Sequence, residues 1–215
     1  MVAKFSLAHL NKNLLCAINI KTTGLSFELH EIYELAIIPI NAKFERDQDR
    51  KWLDLKIRPE RVNKIDWTGA EKMANAHRVK DAIDTGLDRE TAQEILRIWV
   101  ERQGLGKKGI APVAHHFSFI SRFMRMWLGD LLYESYFNDM ELRDTMVVAK
   151  HMNDMSDFRA EPEFPYAKTN LVYLANLLKI DHNYGKQRTA LADAATVVDV
   201  YRKQMYALNK RMIFT

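Results

Sequence analysis

The chain has 215 residues, 47% of them hydrophobic and 28% charged, with a formal charge of +4 at neutral pH. That is enough apolar chain for one sizeable core, and the composition excludes a disordered, collagen-like or disulfide-stapled protein. The single cysteine, Cys16, cannot close an internal disulfide, so a reducing, cytoplasmic setting is expected. No apolar run is long enough to span a bilayer, and the first residues lack a secretory core and cleavage pattern, so no membrane partner is expected. The sequence pI of about 9.0 permits nucleic-acid binding, but the basic residues are scattered among acidic ones.

In chain order, the first predicted element is an apolar strand over Leu14–Ile20 that turns at Thr22-Thr23-Gly24. Side chains alternate along a strand, so Asn19 and Lys21 share one face at its end. A second strand is expected over Glu31–Asn41, with Pro39 near its end because proline cannot donate a ladder hydrogen bond. A third runs over Lys51–Arg58, where Leu53, Leu55 and Ile57 alternate with Trp52, Asp54 and Lys56.

Residues 69–103 read as a helical insertion. Within it Asp88 is placed as an N-cap, Ala92, Ile95, Leu96 and Trp99 form one apolar face, and Gly104 follows the helix end. The glycine-rich stretch 104–109 has the wrong spacing for a phosphate-cradling loop and is read as a connection. A short strand over Ile110–His115 precedes a helix with Phe117, Ile120, Met124, Trp127, Leu128 and Leu131 on one stripe. Met140–Asp144 is predicted as a fifth strand and Thr145–Met152 as a helix, with the proline-containing segment Asn153–Lys168 as loop. Helices over Leu171–Leu178 and Thr189–Leu208 close the chain, separated by a polar loop over His182–Gln187.

Three short stretches carry the functional information: Asn19-Ile20-Lys21-Thr22-Thr23-Gly24-Leu25, His115-His116-Phe117-Ser118-Phe119-Ile120 and Arg188-Thr189-Ala190-Leu191-Ala192-Asp193-Ala194. In order and separation they resemble the motifs of the DnaQ-like (DEDDh) 3′–5′ exonucleases, which have an RNase H-like fold. That family reads Asp-x-Glu-Thr-Thr-Gly-Leu, His-Asn-x-x-Phe-Asp and His-x-Ala-Leu-x-Asp-Ala. Asp144-Thr145 before an apolar helix also matches. The resemblance implies a single α/β domain over residues 1–215, with a mixed central sheet flanked by helices. It places family-equivalent site positions at Asn19, Lys21, Ile120, Arg188 and Asp193.

Of the four metal-binding carboxylates the family carries, only Asp193 remains, and Arg188 stands where the general-base histidine would be. The formal charge of these five positions sums to about +1. A hard dication needs anionic oxygens, so no metal site and no cofactor are expected. An arginine stays protonated and cannot serve as base. The resemblance therefore implies a catalytically degenerate homologue acting as a nucleic-acid-binding or protein-interaction module. The competing reading is an active exonuclease on single-stranded DNA or RNA with a rearranged site, requiring Mg²⁺ or Mn²⁺. Two readings of the cleft stay open. Lys21 can pair with Asp193 as a structural counter-ion, or Lys21 and Arg188 can form a phosphate pocket, with Thr23, His115 and His116 as further nucleic-acid contacts. Glu34 is read as structural.

Overall fold

Strand β1 (Leu14–Thr22) is the centre of the sheet because its residues are apolar on both faces: Leu15 to Ile20 are all buried. A strand covered on both sides reads as a near-continuous apolar run, and LLCAINI is one. The computed structural model describes residues 10, 13–72, 75–105, 109–161, 165–181 and 188–212. Strands β2 (Ile32–Pro39), β3 (Leu53–Lys56), β4 (Ile110–Ala114) and β5 (Arg143–Asp144) complete a five-stranded sheet of order β3-β2-β1-β4-β5. β1 to β3 are antiparallel neighbours, whereas β4 runs parallel to β1 and β5 parallel to β4. This is the mixed sheet of the RNase H-like fold that the motifs imply.

The two faces of β1 serve two cores. Cys16, Ile18 and Ile20 point towards α3 (Arg89–Arg102) and α4 (Phe117–Leu128), packing with Leu96, Trp99, Ile120 and Met124. Leu15 and Ala17 point the other way, towards α6 (Thr145–Phe158), α7 (Leu171–Leu177) and α8 (Ala190–Met212). Burial pushes the Cys16 thiol far above its ordinary range. Because the thiolate is the nucleophile, iodoacetamide should leave Cys16 unmodified in the native protein at neutral pH and label it fully in denaturant; mass spectrometry reads the difference.

Several elements differ from the sequence expectation, each for a local reason. The predicted helical stretch 69–103 is three helices: α1 (Trp67–Lys72), α2 (Ala76–Thr85) and α3. Gly86 takes an extended conformation after α2, and Leu87 then bridges Ile57 at the sheet edge. Asp88 caps α3 as predicted, accepting from Thr91 N–H, and Gly104 follows with φ 67°. Pro39 ends β2 beyond its pairing with β3, where no ladder donor is needed.

The stripe on α4 stops at Leu128. Gly129, with φ 80°, breaks the helical phase, so Leu131 falls in a new helix, α5 (Asp130–Tyr136), and is 90% exposed. The fifth strand is only two residues long; Asp139–Glu141 form a 3-10 turn instead, with Met140 in solvent. The helix expected to end at Met152 continues to Phe158, burying Ser156 and shortening the predicted loop. The connection expected at 106–108, residues 162–164 of the expected loop and the polar loop expected over 182–187 lie outside the described residues.

Candidate functional site

The end of β1 brings polar side chains against α8. Asn19 and Lys21 lie on the face that α8 covers, and Lys21 stands opposite Glu34, which in turn stands opposite Lys56. Cross-strand neighbours on one face therefore alternate in sign: cation, anion, cation. Asp193, less than a turn beyond the start of α8, is buried at 4% exposure. Lys21 Nζ donates to Asp193 Oδ2 at 2.5 Å, and Arg188 Nη2 lies 3.9 Å from the same oxygen. The pair is enclosed, with side-chain exposures of 11% and 6%.

Glu34 fixes α8 over the sheet. Its carboxylate accepts from Arg78 of α2 through one oxygen and from the Ala190 N–H through the other, the latter at 2.8 Å. A carboxylate at a helix N-terminus satisfies an orphan donor and complements the helix dipole. Arg78, which the sequence reading missed, carries no motif signal; only the register that sets Glu34 beside Lys21 makes it necessary. Lys56 pairs with Asp81 of α2 at 2.5 Å, so α2 closes the ladder at its outer strand.

Asp144 organises the neighbouring helix starts. It accepts from the N–H groups of His116 and Phe117 at the head of α4 and from those of Met146 and Val147 at the head of α6. His116 takes the left-handed conformation at φ 64°, its exposed ring stacked on Phe119 with centroids 5.9 Å apart. His115 Nδ1 lies 2.9 Å from Thr145 Oγ1, and that hydroxyl donates to Ala114 O. Burial holds the His115 imidazole below its ordinary pKa range, and His116 adds to this, against the opposing fields of Asp144 and Asp193.

Two sequence-selected residues sit elsewhere than in the polar cluster. Ile120 is buried at 3% exposure in the α3/α4 core, on the other side of the sheet from α8. Thr23 is buried, its hydroxyl accepting from Glu31 N–H at 3.0 Å, which pins the turn after β1. Gly24 completes that turn: an added Cβ would fall 2.4 Å from the His30 ring.

The cluster is a poor host for a divalent metal. Asp193 is the one carboxylate of the five motif positions, and an ammonium already holds one of its oxygens. Charges of +2 and +1 about 4 Å apart repel by roughly 8 kcal/mol at an effective dielectric of about 20. Among the described residues no group of three His, Cys, Asp or Glu side chains is placed to bind a metal.

No protein-family profile and no curated protein sequence matches the chain. Solved structures do. Cell-death related nuclease 4 (CRN-4) is 15% identical with a TM-score of 0.63, over 91% of this chain and 64% of that one. Exonuclease I from Methylocaldum szegediense is 18% identical at TM-score 0.65, over 92% of this chain but 41% of its own. The nuclease domain of 3'hExo, a DEDDh family member, is 17% identical at TM-score 0.62, over 91% of this chain and 92% of that one. The chain thus spans less than two thirds of the first two proteins. Together with the sheet order, these likenesses define an exonuclease-type, DnaQ-like α/β fold. What that fold does here depends on its own site.

Proposed function

We propose that this chain is a non-hydrolytic relative of the 3′–5′ exonucleases that binds ends of single-stranded nucleic acid at the end of β1. The observation that carries the reading is the enclosed Lys21–Asp193 pair, 2.5 Å from Nζ to Oδ2, at positions equivalent to metal-binding carboxylates. A dication has to displace that ammonium, and Arg188 cannot take a proton from water at neutral pH. Nucleic acid is the favoured ligand because structural neighbours hold it: E. coli exonuclease I in complex with a dT13 oligonucleotide, and a 3′-exonuclease recognising a histone mRNA stem-loop. His116, exposed and stacked on Phe119 at the head of α4, offers an aromatic surface on which a base could stack.

The test is incubation with end-labelled single-stranded DNA and RNA in Mg²⁺ or Mn²⁺, read on a denaturing gel, beside anisotropy measurements across a salt series. The expected result is intact label together with salt-sensitive binding. Metal-dependent shortening that Asp193→Ala abolishes would establish the active-nuclease alternative. Intact label with no binding at low salt would point to a protein-interaction role.

A further inference from the structure

A second opening lies one strand away from the end of β1, on the side of the sheet that α3 and α4 cover. Its floor is Ile32 and Ile57, and its far wall is the C-terminal half of α4, where Phe123, Met126 and Trp127 share one face. Arg89, at the start of α3, ties that wall down by donating to the carbonyls of Met126 and Trp127, at 3.1 and 2.6 Å. Glu31 and Arg61, also at the opening, are committed to each other. The near wall is the extended run after β3. Pro59 is buried there, so Arg58 and Glu60, two residues apart, both face the opening. Among the described residues neither side chain makes a hydrogen bond or an ion pair; Arg58 lends only its field to Asp88. The enclosed part is about 30 Å³, the space of about two waters, so it takes the leading edge of a flat ring and leaves a sugar outside.

We infer that this slot is a guanine site. Apolar walls suit a flat ring, and an uncommitted carboxylate beside an uncommitted guanidinium suits one edge in particular. Guanine alone among the common bases presents two N–H donors, at N1 and N2, beside an acceptor, O6. The donors match the two oxygens of Glu60, and the acceptor matches Arg58. Adenine and cytosine set a ring acceptor where guanine has its N1–H, and that acceptor faces the carboxylate. Uracil offers one N–H between two carbonyls, so a carbonyl opposes the second oxygen of Glu60. The same edge belongs to a free guanosine nucleotide and to a guanosine within a strand. The inference stands apart from the strand-end reading, because none of its residues belongs to the Lys21–Asp193 pair.

The experiment is calorimetric titration of the full chain with guanosine, inosine, adenosine and uridine 5′-monophosphates, which share sugar and phosphate and differ in the base. The guanosine nucleotide is expected to bind about ten times more tightly than the adenosine or uridine ones, with inosine, which lacks the N2 amino group, between. Glu60→Ala and Arg58→Ala, at exposed positions, should each bring that ratio close to one with unchanged circular dichroism. Anisotropy of labelled uridine hexamers with and without one guanosine separates the two sources. A gain from the guanosine that Glu60→Ala removes assigns the slot to a strand residue; preference among the free nucleotides without that gain assigns it to the nucleotide. No guanine preference in either arm, or one that Glu60→Ala leaves intact, overturns the inference. End binding without guanine preference sinks this inference alone, and guanine preference without end binding sinks the strand-end reading alone.

Discussion

In guanidinium unfolding at neutral pH, Lys21→Met is expected to lose up to about 3–5 kcal/mol, because it takes from a buried carboxylate the ammonium bonded to it and leaves only the more distant Arg188, 3.9 Å away. Methionine matches the lysine stem, so the loss is electrostatic rather than a cavity effect. Asp193 is 4% exposed, so water cannot readily replace the ammonium. In a domain of this size the melting temperature should fall by roughly 2–4 °C per kcal/mol. The double variant Lys21→Met, Asp193→Leu should recover most of the loss, since an apolar pair removes the buried charge altogether. That recovery separates a structural counter-ion from a packing residue. Single losses below about 1 kcal/mol, or strictly additive ones, would show the pair to be as weak as a surface contact. Raised salt should change the result little, because enclosed pairs are poorly screened.

The sheet was legible because its strands state their environment. The run from Leu15 to Ile20 announces two covered faces, and the alternation at Leu53, Asp54, Leu55 and Lys56 announces an edge strand with one wet face. Asp88 and Gly104 marked both ends of α3 by cap chemistry alone. What failed was periodicity across breaks. Leu131 fits the α4 stripe on paper, but Gly129 resets the phase, and no count of apolar spacing registers a positive φ. Met140 was placed in the fifth strand, yet only Arg143 and Asp144 pair with β4.

The site was legible in its covalent positions and opaque in its partners. Motif spacing put Lys21 and Asp193 in one place, and the ion pair joins them across 172 residues of sequence. Spacing could not say whether Lys21 would turn towards Asp193 or towards solvent. Nor did it show that Ile120 packs in the α3/α4 layer; the apolar stripe of the helix, which includes Ile120, pointed there instead. Arg78 and the reach of Asp144 to the head of α4 arise from tertiary approach alone, whereas the Asp144 cap on α6 is local. They are read from which backbone N–H groups would otherwise be stranded.

The second large effect is expected at Glu34. Glu34→Ala removes the partner of Arg78 and the acceptor of the Ala190 N–H in one step. Both charged side chains are nearly enclosed, at 10% and 12% exposure, so the stranded guanidinium costs about 3–5 kcal/mol and the lost cap about 1 kcal/mol more. Glu34→Gln keeps an oxygen for Ala190 but loses the charge, so it should fall between wild type and Glu34→Ala. Because Glu34 sets the start of α8, its loss also loosens the placement of Asp193 over Lys21. The double variant Glu34→Ala, Lys21→Met should therefore be less destabilised than the sum of the single changes, by about 0.5–3 kcal/mol. Hydrogen exchange distinguishes this from general weakening: in Glu34→Ala the first amides of α8 should lose protection more than those of β1. Equal loss across both elements would mean that Glu34 contributes only to global stability. Full retention of protection in α8 would mean that its packing against the sheet, through Ala194, Val197 and Val198, fixes the helix without the carboxylate.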